Sequence, residues 1–251
     1  MYILQNCLLG KIEDSAAWHT KGSALHDQKK YEESIVYYDD AIRINPENSS
    51  AWNDKGISLY SLKRYEEAIA CYDEAIKLDP ESSDSWNNKG FALNSLKIYE
   101  EAVLCFDEAI KLDPEDSIAW NNKGVSLSYQ GKNEEAIAYF EKAIKLNPED
   151  TDGWFNKGKS LNLQGKTEEA IAYFDEAIKL DPEYSSAWDN KGISLYSLGK
   201  HEEAIACYDE AIKLDPENSS AWNDKGVSLK KLGRDEEAEQ CFDKAEELEK
   251  S

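Results

Sequence analysis

The side chains with the clearest capacity for chemistry are 3 histidines, 5 cysteines and 51 carboxylates. His19 and His26 lie seven residues apart, so they would share one face of a helix, but no cysteine or third histidine stands near them to complete a metal site. No glycine-rich phosphate loop occurs, and the carboxylates recur at regular intervals rather than as a matched catalytic pair. We therefore expect neither an enzyme nor a bound metal or cofactor.

The cysteines do not indicate a disulfide framework, because their number is odd. Four of them occupy one position of a repeated pattern that holds tyrosine in its other copies; these are Cys71, Cys105, Cys207 and Cys241. A position that accepts both cysteine and tyrosine indicates packing. We expect reduced thiols and a cytoplasmic protein.

Asparagines offer a different chemistry, which is recognition. Four of them follow one another at a spacing of 34 residues, namely Asn88, Asn122, Asn156 and Asn190. An amide side chain carries both a donor and an acceptor, so a row of amides could hold an extended peptide through its backbone. The alternative is that asparagine simply suits a solvated helix surface. The choice depends on the elements that present these side chains.

Those elements form a repeat of 34 residues, which all 7 tryptophans mark from Trp18 to Trp222. If repeat positions are counted from Ser15, tryptophan is position 4, glycine position 8, leucine position 11, serine or alanine position 20, tyrosine or phenylalanine position 24, alanine position 27 and proline position 32. The predicted repeats are 15–48, 49–82, 83–116, 117–150, 151–184, 185–218 and 219–251.

Each repeat predicts two helices. Positions 4, 8 and 11 follow the spacing of one helix face, and the serine or threonine at position 1 is the expected N-cap. A break near position 15 is predicted where glycine can adopt a positive φ, and the proline ends the second helix. The small residues at positions 8 and 20 are expected to let the two helices approach closely, with the ring at position 24 filling the space between helices.

The pattern of tryptophan, glycine, alanine, aromatic, alanine and proline resembles the tetratricopeptide repeat, over the whole range from Ser15 to about Ser251. The resemblance implies an all-α fold, a right-handed superhelical solenoid of antiparallel helix pairs. One departure is systematic, since position 7 holds lysine in every repeat, from Lys21 to Lys225, where the family usually has leucine. We expect the lysine stem to lie on apolar surface and its ammonium group to pair with acids of the preceding second helix.

The two ends of the array differ from its middle. Residues 1–14 carry part of the second-helix pattern, so they are expected to form a capping half-repeat or single helix. In the last repeat, Glu239 and Glu246 replace apolar residues, which predicts a solvated outer face where the array ends.

The formal net charge of −22 excludes binding to nucleic acid or to an anionic membrane by bulk electrostatics. No apolar run reaches the length that crosses a bilayer, and the N-terminus lacks the basic front of an export signal. The acidic second helices also carry an aspartate or glutamate at position 25 and lysine or arginine at position 29, which predicts ion pairs one helical turn apart.

In tetratricopeptide-repeat proteins the first helices line the concave face, so the resemblance implies a binding groove there. Apolar and aromatic groups beside amides suit a peptide, since they supply anchors and direction. The candidate binding residues are Asn88, Asn122, Asn156, Asn190, Tyr60, Phe91, Tyr129, Phe155, Lys159 and Tyr196. The clamp that some family members use for a C-terminal carboxylate is not expected, because positions 2, 5 and 6 hold no lysine or arginine.

We therefore expect a non-catalytic scaffold that binds an extended peptide or a partner's helix in its groove. Its ligand would be a neutral to basic protein or peptide, and neither nucleic acid nor a membrane. The alternative is a structural module that self-associates into a homo-oligomer through its ends or grooves.

Overall fold

The computed structural model describes residues 2–250, with side chains from residue 14 onward. These residues form fourteen α-helices and no strand. The helices are α1 (Tyr2–Asp27), α2 (Tyr31–Ile44), α3 (Ser49–Ser61), α4 (Tyr65–Leu78), α5 (Ser83–Ser95), α6 (Tyr99–Leu112), α7 (Ser117–Tyr129), α8 (Asn133–Leu146), α9 (Thr151–Leu163), α10 (Thr167–Leu180), α11 (Ser185–Ser197), α12 (His201–Leu214), α13 (Ser219–Lys231) and α14 (Asp235–Glu249).

The chain divides into two compact units, Met1–Ser126 and Leu127–Ser251. In the first unit, α1 packs on α2, α3 on α4 and α5 on α6, and successive pairs contact through α2 with α3 and α4 with α5. In the second unit, α9 packs on α10, α11 on α12 and α13 on α14, with contacts between α8 and α9, α10 and α11, and α12 and α13. The predicted helix pairs are confirmed.

The two helices of a pair approach each other closely at the glycine of position 8, where the ring of position 24 packs on the backbone. A Cβ atom on Gly56 would lie 2.5 Å from Cε1 of Tyr72, and one on Gly192 would lie 2.6 Å from Cε1 of Tyr208. The ring at position 24 therefore lies on bare backbone of the first helix, and it is fully buried in both cases. The predicted task of the small residue is confirmed, and the alanines at positions 20 and 27 are buried beside it.

The break between the helices of a pair is also where the spacing places it. Four glycines at position 15 have φ between 75° and 78°, namely Gly131, Gly165, Gly199 and Gly233. In the first three repeats a lysine holds the same left-handed conformation, with φ of 60° at Lys29 and Lys63 and 62° at Lys97. A side chain with a Cβ atom is strained there.

The N-caps of the first helices lie one residue earlier than the sequence predicts. Position 1 is already helical, and the cap is the last residue of the preceding repeat. The side chain of Asn48 accepts a hydrogen bond from the Ala51 N–H at 3.1 Å, and that of Asn218 accepts from the Ala221 N–H at 3.1 Å. The prediction was wrong because a residue with a capping side chain, such as Asn48 or Asn218, stands directly before the serine and is the one that accepts the hydrogen bond.

The tryptophan at position 4 is tied to that same proline turn. The indole N–H donates to the backbone carbonyl of the proline six residues earlier, at 3.0 Å for Trp120 and Pro114 and at 2.9 Å for Trp154 and Pro148. The bond recurs in every repeat that follows a proline. It fixes the connection between repeats to the helix that begins the next one.

Helix α1 runs without a break from Tyr2 to Asp27, so residues 2–14 continue the first helix of the first repeat. The expected capping contacts of residues 1–14 depend mainly on side chains that lie outside the described residues. At the other end, Glu239 and Glu246 are exposed on α14. Within residues 2–250, no helix combines the length and apolar character that crossing a membrane requires.

Candidate functional site

The first helices are held to the preceding repeats by the lysine at position 7. Its ammonium group pairs with the acid at position 25 of the preceding second helix, at 2.6 Å for Lys55 and Asp39 and at 2.8 Å for Lys157 and Glu141. The remaining pairs are Lys89 with Asp73, Lys123 with Asp107, Lys191 with Asp175 and Lys225 with Asp209. The expected pairing is confirmed.

This use of the position 25 acids corrects another expectation. The basic residue at position 29 does not pair one turn back with position 25. In five of the first six repeats it pairs instead with position 26, as in Lys77 with Glu74 at 2.8 Å and Arg43 with Asp40 at 2.6 Å. Position 25 is already engaged by the next repeat, which makes the partner three residues away the available one.

Two of the candidate asparagines, Asn88 and Asn122, form hydrogen bonds between repeats. Nδ2 of Asn88 donates to Oδ1 of Asn53 at 3.1 Å, and Nδ2 of Asn122 donates to Oδ1 of Asn87 at 3.2 Å. Each bond joins position 6 of one repeat to position 5 of the repeat before it. Asn88 and Asn122 therefore have a structural task that the sequence alone did not predict.

The contact between positions 5 and 6 changes its chemistry along the chain. In the first two repeats, Nε2 of His19 lies 2.8 Å from Oδ2 of Asp54. In the last two repeats the equivalent residues are Asp189 and Asp224, which are two carboxylates. Asn190, at position 6 of the sixth repeat, faces no amide because position 5 before it is Phe155, and it donates to the Ser186 carbonyl at 2.9 Å.

The pKa values of both carboxylates at the last junction are raised. Burial, and then the nearby charge of Asp224, raises the pKa of Asp189 from 3.8 to about 6. Burial also raises the pKa of Asp224. Oδ1 of Asp189 is buried without a hydrogen-bond partner, and among the described residues neither carboxylate forms an ion pair. Asp224 accepts only from Nδ2 of Asn223, at 3.3 Å.

The candidate aromatic residues are divided between packing and exposure. The Tyr60 ring lies 5.1 Å from that of Phe91, and its hydroxyl is 2.9 Å from Oγ of Ser95. Phe91 is 44% exposed and Tyr129 is 59% exposed. These aromatic groups lie on first helices.

The other predicted residues belong to the second unit. The Phe155 ring packs 5.0 Å from Tyr184 and 6.0 Å from Phe174, so it is half-buried. The Tyr196 ring lies 5.1 Å from that of His201. Lys159 is exposed on α9, and Asn156 is half-buried. No single cluster gathers the predicted residues.

Two cavities occur at equivalent places of the two units, each between first helices of adjacent repeats. In the first unit, a cavity of about 150 Å³ is lined by Ser23, His26, Asp27, Tyr38, Asp54 and Ile57. In the second unit, one of about 310 Å³ is lined by Ile193, Tyr196, Ser197, Tyr208, Asp224 and Val227. Both sets come from repeat positions 9, 12, 13 and 24 and from positions 6 and 9 of the next repeat.

The cysteine and histidine side chains can be described by their burial and hydrogen bonds. The four described cysteines are free and buried, and burial raises the pKa of Cys71, Cys105 and Cys207 to about 11, so these thiols stay protonated. His26 lies 2.9 Å from Oγ of Ser58 through Nδ1. Among the described residues, no three histidine, cysteine or acidic side chains come together to hold a metal ion.

Comparison with known proteins agrees with this architecture. Models of the tetratricopeptide repeat match residues 15–48, 49–82, 83–116, 121–185, 173–206 and 219–251, and a model described as TPR repeat matches residues 192–233. No curated protein matches the sequence.

Several solved structures are similar. YrrB, described as a TPR protein with an unusual peptide-binding site, is 27% identical, with 73% of this chain and 95% of that chain covered and a TM-score of 0.57. The pilF protein of Pseudomonas aeruginosa is 22% identical over 82% of this chain and 94% of its own, with a TM-score of 0.72. A tetratricopeptide repeat protein of Parabacteroides merdae is 16% identical over 94% and 93%, with a TM-score of 0.76. The chain therefore belongs to the tetratricopeptide-repeat family of protein-interaction scaffolds.

Proposed function

We propose that this scaffold binds a peptide segment of a partner protein along the surface of its first helices. We call this surface, formed within each unit by repeat positions 6, 9, 12 and 13, the first-helix face. The observation that carries the proposal is the exposed aromatic and apolar side chains beside hydrogen-bonding groups on this face. Phe91 is 44% exposed and Ile193 is 38% exposed.

Exposed aromatic groups of this kind suit peptide anchoring, because burying them against a ligand releases water from apolar surface. The cavities between neighbouring first helices supply concave sites for side chains of the ligand. Similarity to YrrB, a protein described as having a peptide-binding site, supports the same class of ligand.

The asparagines take a smaller part in this proposal than the sequence alone suggests. One N–H of Asn88 and one of Asn122 are used between repeats. An amide has two N–H groups and a carbonyl oxygen, so each side chain retains hydrogen-bonding capacity for a peptide backbone. The use of the amides as a ladder for the ligand remains a prediction.

The net charge limits the kind of partner that can bind. With a net charge of −22, the protein attracts basic segments, accepts neutral ones and repels anionic polymers and membrane surfaces. We place this interaction in the cytoplasm, where four described cysteines would remain free thiols.

The experiment selects peptides from a random library on the purified full-length protein and measures their affinity by calorimetry. Phe91→Ala should weaken the selected peptides by about tenfold, because loss of one aromatic anchor costs about 1.4 kcal/mol or more. The matched control is Leu104→Ala, which removes a side chain that is 65% exposed on the second helix α6.

Equal losses from the two substitutions, or failure to select any peptide, would contradict the proposal. Phe91 is preferred to the asparagines as the test residue because replacing Asn88 or Asn122 would also disturb the contact between repeats.

The alternative of self-association remains a prediction as well. The exposed Glu239 and Glu246 on α14 disfavour stacking of a second copy on that surface, since carboxylates there would lose their hydration. Sedimentation at increasing protein concentration separates the two functions, because a self-associating module must change its apparent mass.

A further inference from the structure

One cavity of the first-helix face has a chemistry that its equivalent does not share. The cavity of the second unit is lined by Ile193, Val227, Tyr196, Tyr208, Ser197 and Asp224. Its only charged lining group is the Asp224 carboxylate. Aliphatic and aromatic walls with one carboxylate match the long methylene stem and the charged end of a basic side chain.

Asp224 lacks the partner that its position has in the first unit. There the equivalent Asp54 lies 2.8 Å from Nε2 of His19, and Asn88 and Asn122 each donate to an amide of the preceding repeat. In the second unit the residue in the place of His19 is Asp189, which adds a second negative charge and donates nothing. The last junction is thus the one described contact of this kind that places two acids together.

Among the described residues, no cation forms an ion pair with either carboxylate of this pair. Lys191 and Lys225 lie on the same two helices, but they pair with Asp175 and Asp209, each at 2.6 Å. Two further basic residues lie in the last turn of α13: Nζ of Lys230 stands 6.0 Å from the centre of the Phe242 ring, and Lys231 is exposed. The unmet charge therefore faces a cavity of about 310 Å³, about twice the volume of the equivalent cavity of the first unit.

We propose that the cavity between α11 and α13 binds an arginine or lysine side chain of the partner peptide, with Asp224 as its counter-ion and Asp189 reinforcing the negative potential. The stem of the basic side chain lies between Ile193, Tyr196 and Val227. This inference rests on the proposed function, and it names the residue class that the second unit selects in a ligand.

The test uses a defined probe, the peptide acetyl-Ala-Ala-Arg-Ala-Ala-amide, added to the isotope-labelled full-length protein and followed by NMR. The matched probe carries citrulline in place of arginine, which keeps the shape and removes the charge. We expect the arginine peptide to shift the amide signals of Ile193, Tyr196 and Val227 at physiological ionic strength. The citrulline peptide should bind about tenfold more weakly or not measurably.

Three variants locate the effect. Asp224→Asn should reduce the affinity for the arginine peptide by about tenfold, whereas Asp54→Asn, at the equivalent place where His19 already pairs with the acid, should leave it unchanged. Val227→Lys places a cation of the protein itself at the cavity and should abolish the shifts. Val227→Lys thus tests the site independently of any loss of stability in Asp224→Asn.

Four results would overturn the inference. One is the absence of shifts around the cavity, and another is an equal effect of Asp54→Asn and Asp224→Asn, which would indicate general attraction to an acidic surface. The third is calcium chloride alone reproducing and displacing the peptide shifts, which would indicate a site for an inorganic cation. Library peptides that bind without a basic residue and without sensitivity to Asp224→Asn would also overturn it, while leaving the proposed function intact.

Discussion

Nζ of Lys157 lies 2.8 Å from Oε1 of Glu141 and 2.6 Å from the hydroxyl of Tyr173, so one buried ammonium group joins two neighbouring repeats. The lysine side chain is only 6% exposed, whereas that of Glu141 is 58% exposed. Burial lowers the pKa of Lys157, but the hydrogen bonds to Glu141 and Tyr173 outweigh burial, and the pKa is raised overall. The desolvation cost of the ion pair therefore falls mostly on the lysine, which is the more buried partner.

Replacing Lys157 by leucine should raise the free energy of unfolding by about 1 kcal/mol, because the desolvation cost disappears and Glu141 remains in contact with water. Lys157→Ala should lower it by about 1–2 kcal/mol, because the packing of the stem is lost as well. Denaturant unfolding of both variants measures the difference. The control is Lys21→Leu, which changes an exposed lysine and should bring no gain.

The acid pair of the last junction should make stability depend on pH in an identifiable way. The pKa of Asp189 is raised in the folded protein from 3.8 to about 6, so the folded state binds this proton more tightly than the unfolded chain. The resulting stabilisation is present at and below about pH 4 and is lost as the pH rises through about 6.

Asp189→Asn removes this titration and gives Asp224 a hydrogen-bond donor. The variant should match the wild type near pH 4 and exceed its free energy of unfolding by about 1–3 kcal/mol at pH 7, a range that allows for partial solvation of the carboxyl group. Unfolding curves measured across this pH range give the comparison. Asp243→Asn, at an exposed position of α14, should show no such divergence, and a constant difference for Asp189→Asn would contradict the assignment.

The lysines at position 15 should carry a measurable strain. Lys63 has φ of 60°, a conformation that glycine adopts without cost and that costs other residues about 1 kcal/mol. Lys63→Gly should therefore stabilise the protein by about 1 kcal/mol. The reverse change at the equivalent position, Gly199→Lys, should destabilise it by a similar amount, because no atom obstructs a Cβ there and only the backbone resists. Thermal unfolding that moves both variants in the same direction would refute this reading.

Much of the fold could be predicted because the residue pairs that make the main contacts recur in every repeat of the sequence. Gly56 and Tyr72 recur as a glycine and a ring sixteen residues apart in each repeat, and the contact between them is confirmed. The lysine pairing could be predicted for the same reason, since a charge on an otherwise apolar helix position needs an acid nearby.

The polar junctions could not be predicted so readily. Asn53 and Asn88 meet only once the stacking register of two first helices is known, since they are 35 residues apart and each looks like an ordinary surface residue. A signal was nevertheless present, because the residues at positions 5 and 6 change together along the chain. His19 faces an acid and Asn53 faces an amide. The pairing of position 5 in one repeat with position 6 in the next identifies Asp189 and Asp224 as the one junction with two acids.

These junctions mean that the repeats are not interchangeable modules. The repeat that contains Asn87 offers its neighbour an amide, while the one that contains His19 pairs with an acid of the next repeat. Moving, deleting or duplicating a repeat would bring mismatched polar groups together even though the apolar framework still fitted. The polar contacts between positions 5 and 6 therefore favour the present order of the repeats, whereas the apolar core alone would accept many other orders.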